Sequence, residues 1–369
     1  MQSILVSLGQ RSYPIYIGVP SADRSLEIHL LQSLRSWSKL VLIYDENVEA
    51  FAQSTAFSLS LHGAVSLFPV PSGEGSKSID QLGDLWQRML SLPADRKAVV
   101  VAIGGGVVGD LAGFLAATWN RGIRFVQVPT TLLAMVDSSV GGKTGINLPN
   151  AKNVVGAFWQ PSLVWADLTA LNTLPDREFR SGLAEVVKYG VILDPELFDY
   201  LEAQVDLLIA RNPEAITHIV RRSCELKAHV VGEDEFETTG LRAILNYGHT
   251  FGHAIEALTS YGQFLHGEAI SIGMTMAGRL SVALGRWPHA SFERQTQLLT
   301  RLGLPIDLAS APTHGISVDR MLDAMQLDKK TEHGQIHLIL PTRIGHVETV
   351  RGVDTELLRG SMDSFFRAS

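Results

Sequence analysis

Residues 98–110 read Ala98-Val-Val-Val-Ala-Ile103-Gly-Gly-Gly-Val-Val-Gly109-Asp110, six apolar residues running into a glycine cluster. The apolar run has the length and the β-branched content of a strand, and residues 111–118 can continue as a helix. Strand, glycine turn and helix N-terminus in that order make a cradle for a pyrophosphate, because the backbone comes close and its unpaired N–H groups face the anion. Gly104, Gly106 and Gly109 fit G-x-G-x-x-G. The acid such a loop has about 20 residues later is missing, since Phe125-Val-Gln-Val128 runs into Pro129-Thr130-Thr131. An upstream acid can replace it: Asp45 closes the apolar run 40–44 and precedes Asn47, where it can take ribose hydroxyls. Two readings stand, a nucleotide site of unusual layout and glycines that serve tight strand–helix packing.

Outward from this loop, residues 1–174 alternate short Val- and Ile-rich runs (40–44, 65–70, 98–103, 124–128) with helical patterns such as 79–91. That alternation predicts a parallel α/β sheet, with 4–8 and 15–19 as an attached hairpin. After Leu174-Pro175 the period changes. Residues 178–190, 196–211, 214–231, 243–259 and 268–285 all carry i, i+3, i+4 apolar spacing, and Asp194-Pro195-Glu196 opens the second of them as cap, first-turn proline and acid. The expected fold is an N-terminal Rossmann-like α/β domain, 1–174, and a mainly α-helical C-terminal domain, 175–369. Residues 336–340 and 347–350 suggest a short hairpin.

Composition agrees with two cores. The chain has 369 residues, 46% hydrophobic and 19% charged, with mean hydropathy +0.13. One cysteine, Cys224, excludes an intramolecular disulfide framework and a two-cysteine zinc site. No run approaches the ~20 apolar residues of a bilayer span, and no leader layout opens the chain, so a cytoplasmic protein without a membrane partner is expected. The net charge of −7, without a basic stripe, argues against a nucleic-acid partner. Of 33 glycines, nine fall between Gly104 and Gly145, where even spreading would put about four.

Three further patterns bear on chemistry. Ser72-Gly-Glu74-Gly75-Ser-Lys77-Ser78 lacks the glycine before lysine of a Walker A loop, which excludes that ATPase type; Glu74 and Lys77 are either contacts to the adenosine half of a dinucleotide or a solvated loop. His249-Thr-Phe-Gly-His253 puts two imidazoles at i, i+4 on one helix face. Thr250 stands where a zincin has its glutamate, so a metalloprotease is excluded. His266 follows at the next helix start, and Glu185, in Gly182-Leu-Ala-Glu185-Val-Val-Lys188, can complete a Glu/His set that leaves coordination positions for substrate. Spacing leaves open which two histidines bind, and whether they are instead a packing pair. Lastly, Lys143, Lys152, Lys188, Lys227, Arg242 and the pair Lys329 and Lys330 lie among small or neutral residues, beside Asp110, Asp137 and Asn153; together they suggest an anionic substrate.

Gly104-Gly-Gly106-Val-Val-Gly109-Asp110, Pro129-Thr-Thr131, Asp137-Ser-Ser-Val-Gly-Gly-Lys143-Thr-Gly, Lys152-Asn153, Gly182-Leu-Ala-Glu185-Val-Val-Lys188-Tyr-Gly, Leu245-Asn246-Tyr-Gly-His249-Thr-Phe-Gly-His253 and Leu265-His266-Gly-Glu268, in this order, resemble the 3-dehydroquinate synthase family of sugar-phosphate cyclases. The resemblance implies NAD, a divalent metal (Zn²⁺ or Co²⁺), a homodimer and the second step of the shikimate pathway. In that step 3-deoxy-D-arabino-heptulosonate 7-phosphate gives 3-dehydroquinate and phosphate, by transient oxidation, phosphate elimination, reduction, ring opening and aldol closure. It implies Glu185, His249 and His266 as metal ligands. Asp45, Asn47, Glu74, Lys77, Gly105, Gly106, Asp110, Thr130, Thr131 and Lys152 fall at cofactor positions. Asp137, Lys143, Asn153, Lys188, Lys227, Arg242, Asn246, His253 and Lys330 fall at catalytic or substrate positions, and Arg121 resembles an arginine that reaches the neighbouring subunit's site. The acidic segment 233–242 is one residue longer than the common pattern; of its acids in 233–237, Glu235 is taken as the one that contacts substrate. The rival assignment is an NAD- and metal-dependent polyol dehydrogenase of the glycerol dehydrogenase type.

Overall fold

The Val- and Ile-rich runs become strands: β1 (Gln2–Val6), β2 (Tyr13–Gly18), β3 (Leu40–Asp45), β4 (Val65–Val70), β5 (Val99–Gly104), β6 (Arg124–Pro129) and β9 (Leu163–Asp167), with β7 (Lys143–Leu148) and β8 (Ala151–Phe158) forming a separate hairpin. Helices α1 (Leu26–Leu34), α2 (Glu49–Ser60), α3 (Ile79–Leu90) and α4 (Gly106–Thr118) lie among them in the chain. This is a computed structural model, and it describes all residues except 21–25, 150, 260–262, 309–315, 328–335 and 367–369. The chain divides into two compact units, residues 1–175 with 220–236, and residues 176–219 with 237–369.

In the first unit seven strands form one sheet in the order β1-β2-β9-β6-β5-β3-β4. All neighbours are parallel except the β1–β2 hairpin. The period of two sorts side chains to opposite faces. Leu40, Leu42 and Tyr44 pack with the buried residues of α1 and α2, whereas Val41 and Ile43 pack with those of α3 and α4. From β3 the chain passes through α2 to β4 on one side; from β5 it passes through α4 to β6 on the other. The carboxyl ends of β3 and β5 therefore flank a topological switch point, where open α/β sheets bind ligands.

The second unit is mainly helical: α5 (Asp176–Ile192), α6 (Pro195–Ala203), α7 (Val205–Ile209), the start of α8 (Pro213–Glu233), α9 (His249–Leu258), α10 (His266–Ala283), α11 (His289–Arg301), α12 (Val318–Leu327) and α13 (Thr355–Phe366), with one hairpin, β10 (His337–Arg343) and β11 (His346–Arg351). Helix α5 is buried on every side from Ser181 to Ile192, so it is a core helix and the two charged residues there, Glu185 and Lys188, are outliers.

Two expected helices are broken. Residues 196–211 form α6 and α7, parted at Gln204, whose φ −113 and ψ 17 are not helical; the apolar spacing runs through the break and hides it. Residues 243–259 form a 3-10 segment, Leu241–Asn246, and then α9. Gly248 between them has φ +79, and a Cβ there would lie 2.6 Å from Met274 Cγ. Among the described residues, no helix is long and apolar enough to cross a membrane.

Candidate active-site clusters

At the switch point of the first unit, β5 ends at Gly104, Gly105 caps α4, and Gly106 is its first residue. A Cβ on Gly105 would come 3.2 Å from Thr131 Cγ2, and one on Gly106 2.8 Å from Ser138 Oγ. The loop is therefore pressed against residues 131–138, and glycine at both positions is what permits that approach at the start of α4. Gly109 and Gly113 serve packing instead, since Cβ atoms there would meet Gln127 at 2.7 Å and Thr144 at 2.4 Å. Asp45 sits beside this loop: a Cβ on Gly104 would lie 3.3 Å from its Cβ. Its Oδ1 accepts from the Asn47 amide at 2.9 Å and from the Ser72 hydroxyl. Thr130 donates its amide to the Gly104 carbonyl, 2.9 Å, and Thr131 Oγ1 accepts from the Ala134 amide, 3.1 Å.

Lys77 does not point into solvent as a free loop would. It is 4% exposed and its ammonium donates to Asp110 on α4 and to Asn153 Oδ1 on β8. Burial raises the pKa of Asp110 while Lys77 pulls it back down. Asn147, which no motif singled out, joins these groups. It donates Nδ2 to Glu74 Oε1 (2.7 Å), accepts on Oδ1 from the Asn153 amide (3.0 Å), and gives its own amide to the Lys77 carbonyl (2.8 Å).

Asp137 lies in a π-helical turn, Ala134–Ser138, and Lys227 of α8 meets it twice, at the carboxylate (2.9 Å) and the backbone carbonyl (2.8 Å). Lys143 opens β7 and is exposed; Gly141 and Gly142 before it have φ +100 and +68, a reversal open to glycine. Gly145 is a packing glycine, since a Cβ would meet the Val155 carbonyl at 2.5 Å. Lys152 lies on β8. Arg121 is exposed at φ +65, next to Asn120 at φ +51; Asn153 has φ +54. Left-handed backbone at non-glycine residues costs about 1–3 kcal/mol and concentrates at functional positions.

The second unit holds a tighter cluster. Glu185, His249 and His266 come from α5, α9 and α10, and one ligand atom of each lies within 4.8 Å of the others. Glu185 Oε1 is 3.6 Å from His249 Nε2 and 3.5 Å from His266 Nε2. Glycines allow this convergence: a Cβ on Gly267 would lie 1.9 Å from the Ser181 carbonyl of α5, and one on Gly273 2.1 Å from the Gly248 carbonyl. His249 Nδ1 faces the Tyr247 carbonyl at 3.1 Å, a contact that puts the proton on Nδ1 and the lone pair on Nε2. Tyr247 is itself anchored through its hydroxyl to Gln295, 2.7 Å. The wholly buried Glu185 also pairs with Lys188, one turn on and 1% exposed. Burial opposes a charge on His266, but the hydrogen bonds and charges of Glu185 and Glu256 outweigh it and push its pKa up to about 10. The spot favours a cation. One carboxylate and two imidazole nitrogens are also the donor set of a three-ligand site with an open position, so the cluster can hold a divalent metal ion.

His253 is the third imidazole, its ring 5.4 Å from that of His249 and 6.3 Å from that of His266. Arg242, 3% exposed, has Nε 3.4 Å from Glu237 Oε1, and Asn246 ends the same 3-10 segment, partly buried. Glu237 has φ +58. In the first unit, Glu235 is held by Arg11 through both oxygens, 3.1 and 2.6 Å, and by Gln160. In the second unit Glu237 stands beside Arg242, a residue expected to touch substrate. Lys330 lies outside the described residues.

Comparison with known proteins bears directly on these clusters. Residues 67–181 match the model of the 3-dehydroquinate synthase N-terminal domain and residues 182–331 that of the C-terminal domain. The chain is 50% identical over 362 residues to a 3-dehydroquinate synthase of Rhodopirellula baltica, covering 96% of this chain and 95% of that protein. Two solved structures are similar along the whole chain. One is a 2-epi-5-epi-valiolone synthase from Streptomyces hygroscopicus subsp. jinggangensis with NAD⁺ and Zn²⁺ bound (TM-score 0.87, 27% identity, 98% of this chain and 99% of that one). The other is a 2-deoxy-scyllo-inosose synthase with carbaglucose-6-phosphate, NAD⁺ and Co²⁺ (TM-score 0.87, 26%, 99% and 100%). With half its residues identical to those of a full-length member, and the Glu/His cluster in place, the chain belongs to the 3-dehydroquinate synthase family of enzymes.

Proposed function

We propose that this chain converts 3-deoxy-D-arabino-heptulosonate 7-phosphate into 3-dehydroquinate and inorganic phosphate, as a cytoplasmic homodimer with no membrane or nucleic-acid partner. Residues 1–174 take the NAD-binding role and supply some of the substrate contacts, and residues 175–369 the metal role and the remaining substrate contacts. The observation that carries the reading is the convergence of Glu185, His249 and His266 within 4.8 Å, in a chain half identical to a relative of this name. When bound, NAD supplies a reversible hydride acceptor, and the divalent metal, Zn²⁺ or Co²⁺, lowers the pKa of a substrate hydroxyl.

The side chains do the rest. The N-terminus of α4 at Gly105 and Gly106 receives the pyrophosphate, Asp45 the ribose hydroxyls. Asn47, Glu74, Thr130, Thr131 and Lys152 line that cofactor, with Lys77 and Asp110 fixing the loop by their ion pair. Lys143, Asn153, Lys188, Lys227, Arg242, Asn246 and Lys330 bind phosphate and carboxylate, restricting a flexible sugar acid to reactive geometry. Asp137 orients Lys227, and His253 lies on the substrate side of the metal ligands, placed to exchange a proton with a hydroxyl. The exposed Arg121, on a left-handed turn, reaches the partner subunit's site.

The test is phosphate release. Purified protein with NAD⁺ and Zn²⁺ should liberate one phosphate per heptulosonate phosphate with no net NADH, and chelation should stop it. Accumulation of NADH in proportion to substrate would indicate a dehydrogenase instead. Turnover of a heptulose phosphate lacking the carboxylate, in preference to the acid, would indicate a sister cyclase.

A further inference from the structure

We propose that Glu256 is a positioning residue of the metal site, holding His266 by the ring nitrogen that faces away from Glu185; this rests on reading Glu185, His249 and His266 as the ligands. Glu256 lies on α9 seven residues after His249, two helical turns along one face. It is 7% exposed, and a carboxylate is rarely so buried without a partner that repays its lost hydration. Its Oε2 is 3.5 Å from His266 Nδ1, while Nε2 of the same ring is 3.5 Å from Glu185 Oε1. One imidazole therefore stands between two carboxylates, one on the ligand side and one behind.

His249 is arranged in the same sense, with Nδ1 toward the Tyr247 carbonyl and Nε2 toward Glu185. In both rings a proton held on Nδ1 turns the Nε2 lone pair to the common centre. An acceptor behind a ligating histidine fixes its tautomer and raises its basicity. The two supports differ in kind: a neutral carbonyl backs His249, and a charged carboxylate backs His266, the more exposed ring. A Glu256 that merely tied α9 to α10 would affect stability and leave the metal untouched.

Full-length protein stripped by chelation is titrated with Zn²⁺ against a chromogenic chelator, and separately with Co²⁺ while the visible absorption is recorded. Glu256→Ala should weaken Zn²⁺ binding about 10–100-fold and alter the Co²⁺ band. Glu256→Gln keeps an accepting oxygen and should lose less; it carries the test if the alanine variant does not fold. Zn²⁺ affinity within about two-fold of the parent in Glu256→Gln and any folded Glu256→Ala, with an unchanged Co²⁺ spectrum, overturns the proposal whatever happens to stability. His249→Ala should abolish binding. If it binds as the parent does, the ligand assignment itself has failed, which is a separate outcome from failure at Glu256 alone.

Discussion

Cys224 is wholly buried in the first unit and donates to the Met135 carbonyl at 3.2 Å. Burial pushes its thiol up to about 12, against the pull of Lys227. An unfolded thiol titrates near 8.5, so above that pH the unfolded chain has lost a proton that the folded chain keeps. Stability from this group is therefore present below about pH 8.5 and falls as pH rises toward the folded value. The native protein should resist an aromatic disulfide reagent at pH 8 and react stoichiometrically in denaturant; fast labelling without denaturant would contradict the burial. Single residues were legible in the sequence to the extent that a motif marked them. His249, His253 and His266 were marked by spacing and rarity and Glu185 by its place on a small-residue helix, while the choice of Glu185, His249 and His266 came from the family resemblance. Asn147 and Glu256 were not, because one asparagine in a hairpin and one glutamate on a helix have no signature until the chain is folded. Lys77 was legible as a cation near glycines, but its burial against Asp110 and Asn153 depends on β8, thirty-odd residues beyond α4.

At the scale of elements, the contact between α5 and α10 sets the cluster. Gly267 touches the Ser181 carbonyl so closely that a methyl there would lie at 1.9 Å, and a backbone atom cannot move aside as a side-chain tip can. Gly267→Ala should therefore cost more than about 3 kcal/mol and weaken metal binding through the adjacent His266. Urea unfolding with a parallel Zn²⁺ titration reads both, and a loss below about 1 kcal/mol would show the helices are free to part. The strands were legible because glycine, proline and aspartate bound short β-branched runs, and β4 ends where the sequence placed its ends. The break at Gln204 was not, since glutamine interrupts no periodicity. The turn at Gly248 was not legible either, since the apolar spacing of 243–259 runs through it and its left-handed φ becomes necessary only when Met274 packs against it. The π-helical turn that carries Asp137 spans only Ala134–Ser138, too few residues to show a period of its own.

For the molecule as a whole, two ligand clusters in two units predict separable responses. On the proposed function, NAD⁺ should slow amide exchange chiefly around residues 104–110 and 130–138, and Zn²⁺ chiefly around 183–188, 246–256 and 266–270. Mass-resolved hydrogen exchange with each ligand alone measures this. Protection by Zn²⁺ confined to the first unit would contradict the assignment. The fold class was legible from the change of period near residue 175, because alternating strands and helices can bury their apolar faces only in a layered sheet. Helix α8 has a consequence of another kind. It begins in the second unit, its residues from Val220 belong to the first, and the chain returns to the second after Phe236. The backbone thus passes between units three times, and Lys227, the partner of Asp137, lies on the returning stretch. A gene cut once, at any codon, cannot encode both units intact. A graft of one unit between relatives must carry two separate pieces of coding sequence, so recombination within this family is expected to preserve long blocks across α8.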